Sequence, residues 1–69
     1  MSMPWNAVHE VGYDPICSTL RLTFSTGAIY EFQDVPVEKY AALVQTNPQA
    51  RGDYFELQIM RIYQFKRVV

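Results

Sequence analysis

The sequence holds one cysteine, one histidine and three glycines in 69 residues, and each scarcity closes off a class of chemistry. With Cys17 alone there is no internal disulfide framework, which points to a reducing, cytoplasmic setting. His9 has no second histidine or cysteine cluster to complete a zinc site, so no metal is expected. If His9 and Glu10 lie on a strand, they point to opposite faces and make a poor acid–base pair. No glycine-rich phosphate loop is present. Cys17 and the scattered serines and threonines have no adjacent base to activate them. Neither an enzyme nor a cofactor is therefore expected. No apolar run approaches the roughly 20 residues a membrane-spanning helix needs. The opening MSMPWNAVHE has no basic stretch followed by an apolar one, so no secretory leader is expected. Acidic residues are missing from positions 61–69, which carry Arg61, Lys66 and Arg67 for a local charge of +3. The first 60 residues carry −4.

What is present is apolar bulk. Hydrophobic residues make up 49% of the chain and aromatics 14%, a globular composition in which large side chains must supply most of the core. A domain this short buries only about 60% of the surface its unfolded chain exposes. One domain over residues 1–69, with its core over about 8–67, is the expectation.

Residues 7–13 read as a first strand, ended by the turn signal Asp14-Pro15. Residues 18–24 alternate, with Leu20, Leu22 and Phe24 on one face and Arg21 and Thr23 on the other. Residues 28–33 alternate again around Tyr30 and Phe32. A two-residue loop between them would set Leu22 against Glu31. A three-residue loop, Ser25-Thr26-Gly27, instead pairs Phe24 with Ala28, Leu22 with Tyr30 and Leu20 with Phe32. It also sets Arg21 across from Glu31 and puts Gly27 where a left-handed residue is needed. The second register is the expected one, because a slip of one residue would expose the whole apolar set. Pro36 suits the first position of a helix in which Val37, Tyr40, Ala41 and Val44 recur at helical spacing. Asn47-Pro48 stops it. Residues 53–63 read as a second helix with Phe55, Ile59, Ile62 and Tyr63 as its stripe. The end, QFKRVV, leaves a short strand or a frayed tail open. The fold class is α+β: a three-stranded antiparallel meander with two helices packed on one face and room for a short C-terminal strand.

An ordered series of residues then resembles a known family. Gly12-Tyr13-Asp14, Leu20-x-Leu22-x-Phe24, Gly27-x-x-Tyr30-x-Phe32, Val35-Pro36, Tyr40, Gly52-x-Tyr54-Phe55, Ile59 and Tyr63 are similar to the KTSC domain, named for a segment at the C-terminus of some lysyl-tRNA synthetases. The resemblance covers about residues 8–67 and is closest to the free-standing small bacterial members. It implies a binding module whose suggested ligand is RNA. Three positions depart from the family pattern. Phe32 stands where the family has a second tyrosine, and Glu56 and Met60 replace an asparagine and an arginine on the second helix. Arg61 follows one place later, about 100° around the helix.

Two kinds of binding site follow. Arg51, Arg61, Lys66 and Arg67, with Tyr63 among them, are the candidate RNA contacts, because arginines beside aromatics can hold a phosphate and stack a base. Trp5, Leu57 and Met60 are the candidate protein interface, for a partner or a homodimer, since Leu57 and Met60 fall off the stripe of the second helix and Trp5 precedes the first strand with no evident place in the core. The Tyr30 and Phe32 pair is read as core and not as a base-stacking platform, because it shares a face with Leu20, Leu22 and Phe24. The function expected is a non-catalytic binding module, accessory to RNA or devoted to protein interaction.

Overall fold

A computed structural model describes residues 5–68. After a single 3-10 turn, Trp5–Ala7, the chain enters β1 (Val8–Asp14), β2 (Thr19–Phe24) and β3 (Ile29–Phe32). It then forms helices α1 (Val37–Gln45) and α2 (Arg51–Phe55), the latter running on into a π-helical turn, Glu56–Met60, and ends in β4 (Phe65–Arg67). The strands form one antiparallel sheet in the order β1-β2-β3-β4. The C-terminal segment is thus a fourth strand, paired to β3 through Tyr30–Arg67, Glu31–Lys66 and Phe32–Phe65.

The central hairpin adopts the three-residue loop that its side chains demand. Leu20 lies opposite Phe32, Leu22 opposite Tyr30 and Arg21 opposite Glu31. The Phe24 N–H donates to the Ala28 carbonyl at 2.8 Å. Gly27 closes the loop at φ +93°, a conformation that L side chains rarely adopt. On the outer face, Arg21 Nη2 and Nε donate to Glu31 Oε2 at 2.5 and 3.1 Å. The Glu31 side chain is 18% exposed and that of Arg21 58%, so the pair sits against the sheet and not out in bulk water.

The other face is the core. Leu20, Leu22, Phe24, Phe32, Val35, Leu43, Phe55 and Ile59 are buried, and no polar or charged residue is buried among the described residues. Phe32 meets Phe55 edge-on, with ring centres 5.2 Å apart and planes at 87°, a favoured aromatic arrangement that ties sheet to helix. The Tyr13 hydroxyl donates to the Val35 carbonyl at 2.6 Å while its ring stacks on Tyr40. This docks α1 over β1.

Both helices differ in detail from the sequence-based expectation. Pro36 is the residue before α1 rather than its first turn, with ψ at 149°. The buried residue of α1 is Leu43, backed by Tyr40, while Val37 and Val44 face outward. A helix reading YAALV has apolar residues nearly all round, and the Tyr13–Tyr40 stack decides which side turns in. The second helix starts at Arg51 and not Asp53. Its π turn bonds residues five apart, which widens the turn and carries Ile62 out of the stripe. Ile62 is 56% exposed, although Phe55 and Ile59 are buried as expected.

Candidate functional site

The cationic candidates do not converge. Arg51 occupies the first position of α2, and its side chain turns back across the loop to the end of α1. Nε donates to the Thr46 carbonyl at 2.9 Å and Nη2 to the Val44 carbonyl at 2.7 Å. Carbonyls at a helix C-terminus have no partner within the helix, and a guanidinium there both bonds them and meets the negative end of the dipole. Arg51 therefore joins the two helices. Replacing it with Met keeps the stem and removes both bonds. Arg51→Met should cost about 1–2 kcal/mol in urea-induced unfolding.

Arg61 lies just past the π turn and reaches back to Glu56, with Nη2 3.4 Å from Oε2. An ion pair spaced by five residues follows from the wide turn, where an ordinary helix favours three or four. Lys66 and Arg67 are neighbours on β4, and a strand points consecutive side chains to opposite faces. Lys66 sits opposite Glu31 on the open face, while Arg67 sits opposite Tyr30 on the helix side. Tyr63 is half-buried and packs against the core. The five residues are thus spread over the start of α2, the turn that follows the π-helical segment and both faces of the sheet.

The apolar candidates also separate. Trp5 packs its ring on Phe55, with centres 5.2 Å apart, and lies close over Gly52, where a Cβ would come within 3.1 Å of the Trp5 Cβ. Met60 likewise packs against the core. Leu57 does not: it is 52% exposed. Five residues further on, at the same spacing as the Glu56–Arg61 pair, Ile62 is exposed too. Phe65 follows on β4, 41% exposed, with its inner side against Phe32 and Tyr30. Sequence reasoning missed Ile62 as a surface residue, because the stripe was projected at ordinary helical spacing.

The aromatic pair of the central hairpin is interior. Phe32 is fully buried, and Tyr30 is half-buried between Phe24 and Phe65, with ring centres at 5.5 and 5.8 Å. Neither ring lies flat on the open face, where a nucleobase would stack. Among the described residues no group of three or more His, Cys, Asp or Glu side chains is placed to hold a metal ion. No described helix is long and apolar enough to cross a membrane.

Residues 6–63 match the family model of the KTSC domain. The chain is also 35% identical, over 46 residues, to a protein of Stutzerimonas stutzeri (strain A1501) described as an uncharacterized protein. That alignment covers 67% of this chain and 65% of the relative, so the chain spans just under two thirds of that protein's length. Neither description names a catalytic activity.

Proposed function

The chain belongs to the KTSC domain family, and from that premise we propose that it is a non-catalytic binding module whose partner is a protein. The observation that carries this reading is the exposure of Leu57 on the π turn and of Ile62 just past it, with half-exposed Phe65 three residues further along the chain. Three large apolar side chains in water on so small a domain are costly to keep unless something covers them. Arg61 and Glu56 border the pair and supply the polar rim that such surfaces carry. RNA recognition draws less support. A phosphate backbone asks for cations along one groove, and Arg51 is already bonded to carbonyls while Lys66 and Arg67 take opposite faces. The exposed, unpaired thiol of Cys17 supports a reducing intracellular location.

The test compares the native chain with a Leu57→Ser, Ile62→Ser double variant. Both positions are more than half exposed, so thermal stability should hardly change. Partners captured from the source cell by the native chain should be lost with the variant. Titration with single-stranded and hairpin RNA should show no binding that weakens steeply with salt. Steep, salt-sensitive RNA binding, unchanged in the double variant, would refute the protein-partner reading.

A further inference from the structure

The edge of the sheet opposite β4 is β1, and its backbone is unpaired on its outer side. The alternation of the ladder shows which groups are involved. Phe24 bonds Ala28, so Leu22 and Leu20 direct their N–H and C=O toward β3. Arg21 and Thr19 therefore direct theirs toward β1, where they meet Gly12 and Asp14. That leaves the N–H and C=O of Val11 and Tyr13 pointing away from the sheet. Among the described residues nothing bonds them.

Edges are usually blunted by brevity, by lysine or by proline. β4 follows this rule, with three residues and Lys66 and Arg67 on it. β1 does not. It is seven residues long, has no lysine or proline, and has one irregularity, near His9 at its start.

The chemistry of the edge selects its occupant. Val11 and Tyr13 lie on the helix side of β1, packed against the core but half-exposed. Glu10, Gly12 and Asp14 lie on the open side, opposite Thr23, Arg21 and Thr19. Gly12 leaves a dip there, with no atom within 4 Å of where its Cβ would be. The dip opens into a depression of about 370 Å³, walled by Glu10, Asp14, Cys17, Arg21 and Glu31. Arg21 is matched by Glu31, which leaves Glu10 and Asp14 as the surplus charge. One oxygen of Asp14 accepts the Ile16 and Cys17 N–H groups; among the described residues the other oxygen and the Glu10 carboxylate have no hydrogen-bond partner.

We propose that the β1 edge docks an extended segment of a partner protein in which apolar and basic residues alternate, added antiparallel as a fifth strand. Its apolar side chains lie beside Val11 and Tyr13, and its lysine or arginine enters the dip at Gly12 between Glu10 and Asp14. A second copy of this chain fits less well. Pairing β1 with β1 brings acidic edges together. Pairing β1 with the basic β4 offers only Phe65 and Arg67 as outward-facing backbone and generates an open, unclosed chain of subunits. This surface is separate from Leu57 and Ile62, so either can fail without the other.

The probe is an acetylated, amidated heptapeptide of alternating valine and lysine, titrated against isotopically labelled full chain. The amides of Val11 and Tyr13 should shift on binding, and affinity should fall as salt rises. In the proposed pairing the valines carry the N–H groups that face β1, so a peptide N-methylated at its valines should lose binding while keeping its charge. Charge reversal by Glu10→Lys, which touches no buried group, should weaken binding about ten-fold. The Leu57→Ser, Ile62→Ser variant should bind the peptide as the native chain does. Equal binding of the N-methylated peptide, shifts confined to other residues, no binding at low salt, or self-association through β1 would each overturn the proposal. Partner capture through Leu57 would be untouched by any of them.

Discussion

Phe32→Ala should leave the protein largely unfolded at 25 °C. The ring is fully buried at the centre of the molecule, between Leu20 across the ladder, Phe55 from α2 and Phe65 from β4. Truncating a buried phenylalanine costs about 3–5 kcal/mol, the sum of lost transfer energy and the cavity left behind. A domain of this size commonly has only about 3–5 kcal/mol of stability in all. The two figures nearly cancel, so the variant should have lost its near-ultraviolet circular dichroism before denaturant is added. Phe32→Leu keeps most of the volume and should cost about 1.5 kcal/mol, giving a folded protein with a lower midpoint. An Ala variant as stable as the native chain would mean that this face of the hairpin is not the core.

Phe55→Ala should be nearly as damaging, because Phe55 contacts both Phe32 and Trp5. Its loss removes the floor on which the N-terminal turn rests and one side of the edge-on pair with Phe32. About 3–5 kcal/mol is again expected. The more informative quantity is the coupling between the two rings. Since both Ala variants verge on unfolding, the cycle is best run with Leu at each position. The edge-on geometry should appear as about 0.5–1.5 kcal/mol of non-additivity in urea unfolding. Strict additivity would mean that the rings do not touch and that α2 is docked by other contacts.

Much of this architecture was legible in the sequence because the sheet obeys a local rule. Alternation at Leu20, Leu22 and Phe24, a matched charge pair at Arg21 and Glu31, and one glycine at the left-handed position together admit a single register. That register also determined which face carries Tyr30 and Phe32. The helices were less legible for physical reasons. In α1, tyrosine, alanine, leucine and valine surround the axis, so periodicity alone could not single out Leu43. The π turn is a change of pitch that no residue type announces, and it moved Ile62 from the expected stripe to the surface. Arg51 shows a further limit. An arginine that caps a neighbouring helix and one that waits for a phosphate look the same in a sequence, and only the path of the loop brings its guanidinium to Val44 and Thr46. Trp5 was similarly opaque: its place on Phe55 depends on a close approach over Gly52.

The resemblance to the KTSC domain brought the suggestion of RNA binding with it. The geometry bears on that suggestion at two points, the burial of the aromatic pair and the dispersal of the cations. The protein-partner reading follows from the surface left over once the core is complete.

Fluorine resonances report the burial of the hairpin aromatics most directly. The chain has four phenylalanines, so uniform 4-fluorophenylalanine labelling should give four signals, assigned by conservative Phe→Leu variants. On changing H2O for D2O, the signals of Phe32 and Phe55 should stay in place and that of Phe65 should move the most. A Phe32 signal that moves as far as that of Phe65 would put the ring in water and contradict the account.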